Sequence, residues 1–185
     1  MAQGFKSTPR GYTARFTPEE VQVLTQLFED VAFTLEPDEE AATDPLADLV
    51  GISENAQVPT DPALARMLPV ASDDPEVADE FRRFTELSLR RGKIANLNMA
   101  AMDARSGDLA LDAEHARAWA TALNDVRLTL ATRLELKTEE DAARISQMTE
   151  WKDVETTDQY MALLYNFITW LQDSLMEAML SQLDD

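Results

Sequence analysis

Apolar positions recur along most of this chain at intervals of three and four, the period of helices that bury one face. The first such stripe is Val21, Leu24, Phe28, Val31 and Leu35. Thr17 stands before it as N-cap, Pro18 suits the first helical position, and Glu20 completes a Thr-x-x-Glu capping box. Pro37 ends this helix, and the acidic loop EPDEEAATD follows. Asp44-Pro45 and Asp61-Pro62 each open a short helix, the first stopped by Gly51 and the second by Pro69. Asp74-Pro75 opens a long one. Val77, Phe81, Phe84, Leu87, Ile94, Leu97 and Met102 form its stripe and predict helix from about residue 75 to about residue 103. Gly92 inside it suggests a kink or a close crossing.

Residues 105–108 read as a turn. Leu111 then precedes an Asp112 cap, and Ala116, Trp119, Leu123, Val126, Leu130 and Leu134 form the stripe of the next long helix. Beyond Leu136 the chain is acidic and weakly periodic, with Thr138 placed to cap a short helix to about Met148. The last helix is apolar on two rows. One is Met161, Leu164, Ile168, Leu171, Leu175 and Ala178; beside it lie Tyr160, Leu163, Phe167 and Trp170. So much apolar circumference predicts neighbours on several sides, which puts this helix at the centre of a bundle. Polar residues Gln172, Asp173, Ser174 and Glu177 stop it well short of the ~20 clean residues of a membrane span. Before all of these, residues 4–16 alternate differently. Phe5, Tyr12, Phe16 and the threonines favour strand, and Pro9-Arg10-Gly11 is a turn signal. The expected fold is mainly α. It is a single-domain bundle of four longer helices plus short ones over residues 17–185, with a β-hairpin or extended arm over residues 1–16 packed on it.

Charge adds a second pattern. The 185 residues carry a net charge of −19, unevenly spread. Lys6, Arg10 and Arg15 make the first 18 residues basic, residues 19–80 hold Arg66 alone among many acids, and residues 81–107 are basic again. The overall field repels nucleic acid and anionic lipid, so nucleic acid is an improbable partner unless a local basic patch prevails. Arg82, Arg83, Arg90, Arg91 and Lys93, with Lys6, Arg10 and Arg15, form the candidate interaction surface. The competing and preferred reading turns the 82–93 stripe toward the acidic first helix or the 36–44 loop as an internally paired face. Local partners are at hand: Asp79 for Arg82 and Arg83, Glu86 for Arg90.

The chemistry of an enzyme is missing. No cysteine is available for a disulfide, a thiolate metal site or a nucleophile, and the five glycines are too scattered for a phosphate-binding loop. His115 is the single histidine, which excludes a helical di-iron site, and it reads as a solvated neighbour of the Asp112 cap. We expect no catalytic residue, no metal and no cofactor. Absence of a signal-like leader and of a membrane span suggests a cytoplasmic protein. Arg127 sits at the edge of its helix's apolar stripe, where an ion pair is the preferred role and a ligand contact the alternative. Asn96 and Asn98 are open between the same two roles. Trp119, Trp151 and Trp170 read as core or core-edge aromatics, with Trp151 the one available to a partner.

The segments DPALARMLP, EFRRFTELSLRRGKIAN, LNDVRLTLATRLEL and YNFITWLQDSL, in that order and spacing, resemble an actinobacterial family of unknown function. Its more specific parts here are Asn124, Asp125 and Arg127 with Arg133, and Trp170-Leu171-Gln172. The resemblance implies a mostly helical protein with no assigned activity or cofactor. It also implies a gene neighbourhood shared with the adaptor that delivers substrates to the Clp protease. Segment 137–157 matches least well, as a variable loop would. Some members carry a transcriptional-regulator label, although no helix-turn-helix with a basic recognition helix is present in this sequence. The function expected is thus a non-enzymatic regulatory or protein-interaction module, linked to Clp-dependent proteolysis through that resemblance, with an unidentified protein partner. The alternative is a DNA-associated regulator using the basic patch.

Overall fold

A computed structural model describes residues 2–37, 57–146 and 156–182. The short helix expected after Asp44-Pro45 and the side chain of Trp151 lie outside these residues. In chain order the elements are strands β1 (Gln3–Thr8) and β2 (Gly11–Arg15), helices α1 (Pro18–Leu35), α2 (Pro62–Met67) and α3 (Pro75–Ala104), strand β3 (Asp108–Leu111), and helices α4 (Ala113–Arg133), α5 (Glu139–Ser146) and α6 (Thr157–Leu180). The mainly α fold with an N-terminal hairpin is as expected.

Helix starts follow the capping chemistry. The Thr17 hydroxyl accepts from the Glu20 amide while the Glu20 carboxylate accepts from the Thr17 amide. Asp61, Asp74 and Asp112 each accept two amides of the first turn that follows them. Thr138 and Asp141 hold the start of α5 reciprocally, and Thr156 with Gln159 does the same for α6.

Three features depart from expectation. The turn after α3 continues into β3, which pairs antiparallel with β2 from Arg15↔Asp108 to Tyr12↔Leu111, so the hairpin is two-thirds of a three-stranded sheet ordered β1-β2-β3. Gly11, at φ +103°, lies so close to β3 that an added Cβ would sit 2.2 Å from the Leu111 carbonyl oxygen. Gly92 makes no close crossing, for an added Cβ there meets nothing within 4 Å.

The third departure concerns the centre. Helix α4, and not the last helix, holds that place: it packs against α1, α2, α3, α6, β2 and β3, whereas α6 packs on α4, α5, β1 and β2. Trp119 of α4 is fully buried and gathers the N-terminal aromatics, edge-on to Phe5 at 5.5 Å and Phe28 at 5.3 Å and stacked on Phe16 at 6.2 Å. Three aromatic neighbours and a buried indole fix the sheet to the bundle. Of the second apolar row of α6, Leu163 is buried, but Tyr160 and Trp170 are exposed, Trp170 stacking on Phe167 at 6.1 Å. β1 crosses α6 with its backbone: the Phe5 amide donates to the Ser174 hydroxyl at 3.0 Å, and a Cβ on Gly4 would meet Ser174 and Trp170 at 3.0 Å. No helix among the described residues is long and apolar enough to cross a membrane.

Candidate interaction surface

Helix α3 carries the basic run, and its faces are the reverse of the apolar reading over its first half. Val77, Phe81 and Phe84, expected in the core, are each about half exposed (52–53%). Facing inward at four-residue spacing are Ala78, Arg82, Glu86 and Arg90. In the second half the same side becomes apolar, through Leu97, Ala100, Ala101 and Ala104. The polar half has a physical cause. It lies against the ends of two other helices, whose last carbonyls lack intrahelical partners. Arg90 Nη1 donates to the Leu35 carbonyl at the end of α1 at 3.0 Å, and Arg82 Nη2 donates to the Leu68 carbonyl after α2 at 3.3 Å. Glu86 joins the two arginines, accepting from Arg82 at 2.6 Å and from Arg90 Nε at 2.9 Å. α1 has no basic residue in its own last turn, so Arg90 supplies the positive charge that its C-terminus favours.

Lys93 is also spent internally. Its Nζ donates to Asp125 Oδ1 at 2.6 Å, and Asp125 is wholly buried in the middle of α4. Burial pushes the Asp125 carboxyl up from the usual aspartate range, with the Lys93 bond opposing that rise, and its second oxygen has no hydrogen-bond partner. Arg82, Arg90 and Lys93 thus face inward, but their partners are Glu86, two helix-end carbonyls and Asp125, not the acids of the first helix; residues 38–44 of the acidic loop lie outside the described residues. Asp79 is not the partner of Arg82; Glu86 is.

The remaining candidates sit apart. Arg83 and Arg91 are exposed on α3. Lys6 and Arg10 are exposed on the hairpin, and Arg15 pairs with Asp108 at 3.3 Å across the β2–β3 edge with both side chains largely in solvent. Such an exposed pair is worth at most about 1 kcal/mol. Among the family-motif residues, Asp125 is the structural anchor just described. Arg127 is half-buried and reaches only the Asn124 amide oxygen at 3.5 Å, so the ion pair expected for it is not formed among the described residues. Arg133 is exposed in the last turn of α4, where a cation suits the helix dipole.

His115 is not merely a solvated neighbour of its cap. Its Nδ1 lies 2.7 Å from Asp103 Oδ2, which also accepts from the Trp119 indole at 3.0 Å. Bonding to the Asp103 carboxylate raises the imidazole above its ordinary value, against a smaller lowering by burial. The cluster ties the end of α3 to the start of α4 and to the aromatic core. No group of three or more His, Asp or Glu side chains that could hold a metal occurs among the described residues. Sequence reasoning missed this link because Asp103 and His115 belong to different helices. It also missed the exposed Val77/Phe81/Phe84 row, whose period alone could not say which side faced inward.

Over residues 2–179 the sequence matches the family described as "Domain of unknown function (DUF2017)". The chain belongs to this family. The chain is also similar to the proteins described as "Oxidative stress regulator AosR" in Mycobacterium tuberculosis and Mycobacterium bovis, 29% identical over 143 residues. That match covers 68% of this chain and 66% of each relative, just under two thirds of their length. No solved structure matches the chain. Within the DUF2017 chain the cations Arg82, Arg90 and Lys93 are engaged inside the fold, while Lys6 and Arg10 of the hairpin and Arg83 of α3 are exposed.

Proposed function

We propose that this chain is a non-enzymatic, cytoplasmic regulatory protein that works through contact with another protein. The observation that carries the reading is its similarity, over 143 residues, to proteins described as oxidative stress regulators. These 185 residues contain no cysteine, so a thiol response to oxidant is closed to them, which supports a role exerted through a partner. The cationic surface available for such a contact is the hairpin, through Lys6 and Arg10, and the partner it suits is an acidic protein segment. Through the gene neighbourhood implied by the family resemblance, the process proposed is Clp-dependent proteolysis. The DNA-associated alternative is not carried forward, since Arg82, Arg90 and Lys93 are engaged inside the fold and the net charge of −19 opposes a polyanion.

The test is affinity capture from native lysate with the tagged full chain, beside the K6E/R10E variant. Recovery of a Clp component by the wild type and its loss with the variant is the expected outcome, together with altered turnover of Clp substrates in a deletion strain. Recovery of no Clp component with unchanged turnover removes the Clp link. A salt-sensitive shift of duplex DNA at low ionic strength would restore the alternative.

A further inference from the structure

Two stretches that stand out in the sequence, Asn124 to Arg127 and Trp170-Leu171-Gln172, meet along one seam of the bundle. α4 and α6 run antiparallel there. The Gln172 amide donates to the Ala120 carbonyl at 3.4 Å near one end of their contact, and Ala131 packs with Ala162 and Tyr165 near the other. Between these ends lie Asn124 and Arg127 on α4 and Thr169 on α6. Thr169 and Gln172 are one turn apart, so both stand on the side of α6 that meets α4. Asn124 follows Ala120 by four residues and Arg127 follows Asn124 by three, which keeps them on the matching side of α4.

The seam is short of hydrogen-bond partners. Thr169 Oγ1 and Gln172 Oε1 are buried, and neither has a partner among the described residues. Arg127 is half-buried, yet its guanidinium reaches only Asn124 Oδ1 at 3.5 Å and pairs with no acid among the described residues. Polar groups taken from water are ordinarily bonded, and shielded charges are ordinarily paired. Water would satisfy the hydroxyl and the amide oxygen, but it brings no charge to Arg127. The group that completes the seam is an anion that accepts from Arg127, from the Asn124 amide and from the Thr169 hydroxyl. It must also donate one bond, because Gln172 Oε1 only accepts. A carboxylate supplies the charge, in the planar fork that a guanidinium matches. Having no donor of its own when ionised, it needs an N–H or O–H beside it.

We propose that the α4–α6 seam is a binding site for a carboxylate with a neighbouring N–H or O–H donor. This chemistry is that of the last residue of a peptide chain, whose own amide is the donor, or of a free α-hydroxy acid. The carboxylate lies on Arg127, with Asn124 and Thr169 donating to its oxygens, and the neighbouring donor serves Gln172. The net charge of −19 opposes any anion at long range, but it acts on a single charge far less than on a polyanion. Salt screens that field more than it screens contact with a shielded arginine. The site is independent of the hairpin and of any Clp partner, since Lys6 and Arg10 take no part in it.

A two-dimensional amide NMR titration of the full chain at fixed ionic strength tests the site, with N-acetylglycine, glycolate, acetate and acetamide as probes. N-acetylglycine or glycolate should give saturable shifts at the backbone amides of residues 120–127 and 169–172, half-saturating in the range of about 0.1–10 mM. The tighter of the two identifies the source, a chain end or a free hydroxy acid. Acetate, which lacks the donor, and acetamide, which lacks the charge, should each bind about tenfold more weakly. Arg127→Met should abolish the saturable shifts. Thr169→Val removes a buried hydroxyl that has no partner, so Tm should not fall, while affinity for the tighter probe should drop about tenfold. Circular dichroism should show unchanged helix content in both variants. Absence of saturable shifts with both N-acetylglycine and glycolate overturns the proposal. Acetate binding as tightly as either would mean an adventitious ion only, and shifts that persist unchanged in Arg127→Met or Thr169→Val would place the binding elsewhere.

Discussion

At the scale of single residues, the decisive placements are charges enclosed by the fold. Lys93 and Asp125 are 32 positions apart in sequence and meet at 2.6 Å, with Asp125 wholly buried. Removing one member of such a pair leaves an uncompensated buried charge. Lys93→Met should therefore cost about 3–5 kcal/mol near neutral pH, measured by urea unfolding. The loss should shrink as pH falls. Burial already raises the Asp125 carboxyl, and without the ammonium it rises further, so the variant regains stability as the acid protonates on the way down. Replacing both residues, as K93M/D125L, should recover most of the loss. A double variant as unstable as Lys93→Met would show that the pair is not what the site requires. The sequence supplied both residue types but not the pairing, since nothing local to Asp125 points to α3.

Among the elements, boundaries were legible and orientations were not. Among the described residues each Asp-Pro or Thr-x-x-Glu start signals its own helix, because the cap and the amides it satisfies are within three residues. β3 escaped notice because Asp108–Leu111 is only four residues long, and its strand character comes from the exposed edge of β2. Helix α3 was read with the correct span and the wrong inward face over its first half. Its arginines face inward because α1 and α2 end against it with unsatisfied carbonyls. The suspected crossing at Gly92 is absent, which yields a simple expectation. Gly92→Ala adds a methyl in open space within a helix and should stabilise the protein by about 0.5–1 kcal/mol. Thermal unfolding will check this; a fall in Tm would mean that the glycine serves a contact after all.

The whole molecule carries 35 acidic against 16 basic side chains, while several of its strongest ion pairs are shielded from solvent. Self-repulsion among the exposed acids is long-ranged and screened by salt, whereas shielded pairs are screened much less. Raising the ionic strength from about 0.01 to about 0.15 M should consequently raise Tm. A flat or falling Tm would show that exposed pairs such as Arg105–Glu29 outweigh the repulsion. At this scale the aromatic assembly of Phe5, Phe16, Phe28 and Trp119 joins the N-terminal strands and α1 to α4. With it, α4 holds the middle in place of the more apolar α6, although α4 carries more charged residues.

By itself the sequence determined the helical class, the hairpin, the cap of nearly every described helix, and the lack of cysteine chemistry. All of these depend on composition or on residues within a turn of one another. Only the tertiary structure decided the centre of the bundle, the third strand, the His115–Asp103–Trp119 link and the use of the basic run. Each of those depends on partners distant along the chain. The Leu35 carbonyl lies 55 residues from Arg90, and the arginine's role is set by that carbonyl's need for a donor. The same inward turn of Arg82, Glu86 and Arg90 sends Val77, Phe81 and Phe84 to the surface.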